Sequence, residues 1–94
     1  MTKNAIHALA RHVASRWGKQ GIRANVICPG LVLTEAVKQH LTDEYVERGL
    51  KNVPHTRLGQ PDDIAAAVTF LASSDGEWVT GQVWHVNGGA QMRD

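Results

Sequence analysis

At 94 residues the chain has room for one small domain and no more. A formal charge of +1, with 43% hydrophobic and 20% charged residues, is ordinary for a globular protein and gives no electrostatic reason to expect nucleic acid or an anionic membrane as partner. No apolar run reaches the ~20 residues of a membrane span, and the single cysteine, Cys28, excludes an internal disulfide. A lone thiol and the lack of a signal-peptide pattern make the cytoplasm the expected setting.

The first element is expected to be a helix over residues 3–17. Ala5, Leu9, Val13 and Trp17 recur every fourth residue, with Ile6, Ala10 and Ala14 beside them. Gly18 is the expected stop, followed by a turn at Lys19-Gln20-Gly21. Residues 22–28 read as a strand closed by Pro29-Gly30. Helical signals resume after Thr34, over 35–40 and 43–50, and a loop carries 52–59. Pro61 then opens a second firm helix, with Asp62 and Asp63 at its positive end and Ile64, Val68 and Leu71 as its apolar stripe. Ser73 to Gly76 ends it, and 82–86 is a second strand closed by Asn87-Gly88-Gly89.

Two strands joined through a long helical connection make a parallel βαβ unit with a right-handed crossover, hence α/β architecture. Such a sheet is incomplete on its own, because two parallel strands cannot cover their faces and outer edges.

Three blocks in this order resemble the short-chain dehydrogenase/reductases. The first is Thr2-Lys3-Asn4-Ala5 at a helix start, followed by Gly21-Ile22-Arg23-Ala24-Asn25. The second is Cys28-Pro29-Gly30-Leu31-Val32-Leu33-Thr34. The third runs from Arg57-Leu58-Gly59-Gln60-Pro61-Asp62-Asp63 through Phe70-Leu71-Ala72-Ser73 to Thr80-Gly81-Gln82-Val83 and Val86-Asn87-Gly88-Gly89. The resemblance implies that residues 1–94 form the C-terminal part of one NAD(P)-binding, Rossmann-like, doubly wound domain, with 35–56 as the substrate lid.

It also implies chemistry. Lys3 looks like the lysine of the family's Tyr-x-x-x-Lys motif, whose tyrosine would fall two positions before Met1; the glycine-rich dinucleotide loop and catalytic serine would lie further upstream. A tyrosine near its ordinary pKa of ~10 is a poor base at neutral pH, and a nearby ammonium favours the phenolate. The same lysine would hold the nicotinamide ribose. By resemblance the backbone at Val32, following Pro29 and Gly30, meets the nicotinamide carboxamide, and Thr34 offers its hydroxyl. Read without the family, Lys3 is a solvated helix residue and Pro29 to Thr34 a strand-ending turn with a threonine cap.

The remaining candidates resolve to structure. No histidine pair has metal-ligand spacing, and no base stands near Cys28 in sequence. Tyr45 follows Lys3 by 42 residues and cannot replace the tyrosine. Asn87 stands where the family usually has aspartate. The expected function is therefore hydride transfer between NAD or NADP and a small alcohol or carbonyl substrate, in a parent that is a homodimer or homotetramer, with this stretch alone inactive. The alternative is a non-enzymatic α/β module that pairs with a related subunit. The wide apolar stripe on 3–17 and the apolar strand 82–86 suit association in either case.

Overall fold

The computed structural model describes residues 3–90, the side chain of Lys3 excepted. Helix α1 spans Lys3–Trp17, as the four-residue recurrence of apolar side chains requires. It stops where expected, before Gly18, and the expected turn follows. Gly18–Gln20 tighten into a 3₁₀ turn, and the left-handed residue is Gly21, at φ 82°, whose N–H donates to the Gly18 carbonyl. A side chain would be strained at that φ, so the glycine three residues later makes the turn.

The first strand, β1, is shorter than the expected 22–28: it spans Val26–Pro29. The four residues before it are held by side chains and single backbone bonds in place of a ladder. The Arg23 guanidinium donates to the carbonyls of Leu71, Ser73 and Gly76, capping the end of the next long helix. Asn25 donates to the Val79 carbonyl and accepts from the Gln82 N–H, while Ala24 N–H donates to Thr80 Oγ1. The second strand, β2, spans Val83–Val86 and pairs parallel to β1, with Ile27 opposite Trp84 and Cys28 opposite His85.

Adjacent strand residues face opposite ways, and the two sides carry different helices. Trp84 stacks on Phe70 of helix α4 (Pro61–Ala72), with ring centroids 5.6 Å apart. Cys28 Sγ lies 3.7 Å from His7 Nε2 of α1. So α1 and α4 cover opposite faces of a two-stranded parallel sheet. Between the strands, Thr34 caps α2 (Glu35–Lys38) and Thr42 caps α3 (Asp43–Lys51), each hydroxyl accepting a backbone N–H three residues on.

Covering is thin. Val53, Leu58 and Leu71 are the buried apolar side chains of the described residues, while Ile6, Leu9, Val68 and Phe70 are exposed and Trp78 is 98% exposed. The radius of gyration is 15.6 Å, against about 12 Å for a compact domain of this length. No helix of the described residues is long and apolar enough to cross a membrane.

Candidate cofactor site at the carboxyl end of the sheet

The chain leaves β1 at Pro29 and must turn at once, because proline offers no N–H to extend the ladder. Gly30 N–H still donates to the Val86 carbonyl, 3.1 Å away, so the turn stays tied to β2. Glycine at 30 has a packing reason. A Cβ there would stand 2.6 Å from Asn87 Cβ and 2.9 Å from its Cα. The space a side chain would need is filled by the residue that ends β2.

Residues 31–33 then run beside Gly59. The Gly59 N–H donates to the Leu31 carbonyl (3.2 Å) and the Leu33 N–H donates to the Gly59 carbonyl (2.9 Å), forming an isolated parallel bridge between Val32 and Gly59. In a parallel bridge the central residue's own polar groups point away from the partner. The Val32 carbonyl accepts from Thr34 N–H at 2.9 Å, and the Val32 N–H has no partner among the described residues. An unpaired amide on an ordered backbone is a ready donor for a ligand.

The plain reading of Thr34 as a helix cap is realised: Oγ1 accepts from Val37 N–H at 3.3 Å, and its own proton has no partner among the described residues. Pro29, Gly30, Val32 and Thr34 all line one apolar groove of about 770 Å³, closed on its far side by Ile64 and Val68 of α4. That volume is in the range of small-molecule sites. The residues therefore fit an amide-bearing ring: an apolar wall, an outward N–H and a hydroxyl at the carboxyl end of a parallel strand, the place where open α/β sheets bind ligands.

Lys3 is the first residue of α1. Its side chain, and Thr2 of the same sequence block, lie outside the described residues. One turn further along α1 the structure adds a pair that the sequence hid. His7 and Cys28, 21 positions apart, meet across helix and strand. No signal short of the fold could have joined them. His12 instead packs edge-on to Trp17, and no group of three or more metal-ligating side chains occurs among the described residues.

The loop that carries Gly59 is organised by charge. Arg57 makes a two-pronged ion pair with Asp63, both N–O distances being 2.8 Å. Hydrogen bonding to Arg57 first, and to the Gln60 N–H second, holds the Asp63 carboxyl well below the usual carboxylate range; the same pair raises Arg57 above its ordinary value.

The family model described as enoyl-(acyl carrier protein) reductase matches residues 1–91. The 7alpha-hydroxysteroid dehydrogenase of Clostridium sardiniense is 40% identical over 89 residues, covering 95% of this chain and 34% of that protein. The 3-oxoacyl-[acyl-carrier-protein] reductase FabG of Haemophilus influenzae is 49% identical over 85 residues, covering 90% of this chain and 33% of that protein. A solved 7 alpha-hydroxysteroid dehydrogenase, complexed with NADH and 7-oxo glycochenodeoxycholic acid, superimposes with a TM-score of 0.79 at 45% identity, over 93% of this chain and 34% of that one. The chain thus spans about a third of the length of the relatives it matches, and its parallel α/β arrangement is the Rossmann-like one of these structures. Match and fold agree with the residues at the carboxyl end of the sheet: the chain belongs to the short-chain dehydrogenase/reductase family.

Proposed function

We propose that these residues serve an NAD(P)-dependent oxidoreductase that moves hydride between the nicotinamide and a small alcohol or carbonyl substrate. The observation that carries this reading is the unpaired N–H of Val32, a residue that lines the groove with Pro29, Gly30 and Thr34. When bound, the cofactor supplies the hydride donor or acceptor. This chain's residues would orient it: Val32 N–H toward the carboxamide oxygen, Thr34 hydroxyl beside it, and Ile64 and Val68 along its apolar side. Lys3, by family position, would bind the nicotinamide ribose and hold a neighbouring tyrosine in its basic form. Residues 35–56 would lid the substrate.

By the family resemblance, turnover would also draw on a tyrosine four residues before Lys3 and on a Gly-x-Gly-x-x-Gly loop. The exposed apolar residues of α1 and α4 support a homodimer or homotetramer for the whole protein. Its free thiol, Cys28, suits the cytoplasm.

NADH and NADPH titrations followed by nicotinamide fluorescence test the reading on the protein that carries this chain. Val32→Pro removes the N–H while sparing both bonds of the Gly59 bridge, and is expected to weaken binding; Val32→Ala keeps the N–H and is expected to bind as wild type. A wild-type protein that assembles but binds neither nucleotide overturns the enzyme in favour of a pairing module.

A further inference from the structure

Gly59 belongs to two peptide planes, and each is gripped at both ends. In the plane between Leu58 and Gly59, the Leu58 carbonyl accepts from Arg57 Nη1 at 3.1 Å and the Gly59 N–H donates to the Leu31 carbonyl. In the plane between Gly59 and Gln60, the Gly59 carbonyl accepts from Leu33 N–H and the Gln60 N–H donates to Asp63 Oδ2 at 2.7 Å. The inner ends hold the segment around Val32. The outer ends are held by Arg57 and Asp63, which close on each other through two bonds.

Rotation of either plane would turn its inner group away from the Val32 segment, so the ion pair fixes the direction from which that segment is held. Space enforces the fit: a Cβ at Gly59 would lie 3.0 Å from the Leu31 carbonyl oxygen. The adjoining Leu58 is buried and anchors the loop from below. The pair itself stands in solvent, Arg57 being 55% and Asp63 32% exposed. An ion pair so placed contributes little to global stability. Its geometry, two-pronged and shared with two backbone groups, is suited to orientation.

We propose that Arg57 and Asp63 are positioning residues for the nicotinamide: their ion pair sets the two peptide planes of Gly59, and these set where Val32 presents its N–H. This rests on the cofactor reading above. Neither side chain touches the cofactor in this account; both act through backbone.

The test compares two ligands on the protein that carries this chain: NADH, and ADP-ribose, which lacks the nicotinamide. Asp63→Asn and Arg57→Ala are expected to raise the NADH dissociation constant about tenfold, the scale of one misdirected hydrogen bond, and to leave ADP-ribose unchanged. Arg57→Lys, which keeps the charge and loses the fork, should fall between. The double variant should lose no more than either single one, because the two act as one unit. A readout free of ligand accompanies this: amide exchange at Leu33 and Gly59 should quicken in Asp63→Asn while Val26 of β1, whose N–H donates to the Gln82 carbonyl, stays protected. Equal loss of NADH and ADP-ribose, or unchanged NADH binding with unchanged exchange, overturns the proposal. Wild-type protein that binds ADP-ribose but gains nothing from the nicotinamide overturns the cofactor reading itself.

Discussion

The carboxyl end of the sheet and its two flanks are built to different standards. At the carboxyl end, residues 29–34 are tied to Val86, packed against Asn87 and bridged to Gly59, partners that lie 26 to 57 positions away in the sequence. On the flanks, Ile6 and Leu9 of α1 and Val68 and Phe70 of α4 stand exposed. The groove's geometry is thus completed within this chain, whereas the burial that stabilises a fold is not. Site precision and fold stability are separable properties here, since the first depends on hydrogen bonds and close approach and the second on apolar area removed from water.

Catalysis offers the largest test of that contrast. In the protein that carries this chain, Lys3→Ala is expected to cost about 10²-fold or more in kcat/KM, the scale of a lost acid–base contribution, without loss of folded protein. Near-wild-type kinetics would return Lys3 to the helix surface and leave the groove without its chemical partner.

Next comes a residue that ties the entry of β1 to the α4 flank. Arg23→Ala removes the guanidinium from the carbonyls of Leu71 in α4 and of Ser73 and Gly76 just beyond it. The expected destabilisation is about 2–3 kcal/mol, as for charged hydrogen bonds to partly buried groups, read from urea denaturation. A loss below a few tenths of a kcal/mol would mean that water replaces the guanidinium freely.

The sequence anticipated these regions unequally, and the reasons are physical. The helices α1 and α4 announce themselves because their periodicity is local: Ala5, Leu9, Val13 and Trp17 in one, Ile64, Val68 and Leu71 in the other. The start of β1 was placed four residues early, at Ile22, because Arg23 and Asn25 bond to groups 48 to 57 positions away and no local pattern reports that. The stop of α1 before Gly18 and the turn after it are legible from the glycines, while which glycine is left-handed shows only in the backbone angle, and it is Gly21. At the site, Pro29, Gly30, Val32 and Thr34 were legible as a family motif, and they line one groove. The bond network that fixes them is not legible there, because Gly59 reads as the end of a loop and Asp63 as part of a helix start.

Association probes the flanks directly. Leu9→Glu puts a charge on the exposed face of α1 and should lower the fraction of oligomer in light scattering at micromolar concentration, with cofactor binding retained. If the oligomer persists undiminished, that face is covered by the protein's own residues and the asymmetry described above is smaller than drawn.

The smallest effect expected is on acid stability. Asp63 has its carboxyl depressed by Arg57 and the Gln60 N–H, so its contribution is fully present above the ordinary carboxylate pKa of ~3.9 and is lost as pH falls toward its lower folded value. Because the pair is solvated the contribution is modest. A melting-temperature difference between wild type and Asp63→Asn that shrinks below about pH 4 is the expected signature; a difference flat with pH would separate the loop from its ion pair.

Trp78, almost wholly in solvent, gives the molecule an optical handle. An indole bathed in water emits at the red end of its range and is readily quenched by iodide, while Trp84, stacked on Phe70, is shielded. Any event that covers the surface around residue 78 therefore moves emission to the blue and slows quenching. The chain thus carries its own optical reporter for whatever comes to cover that face.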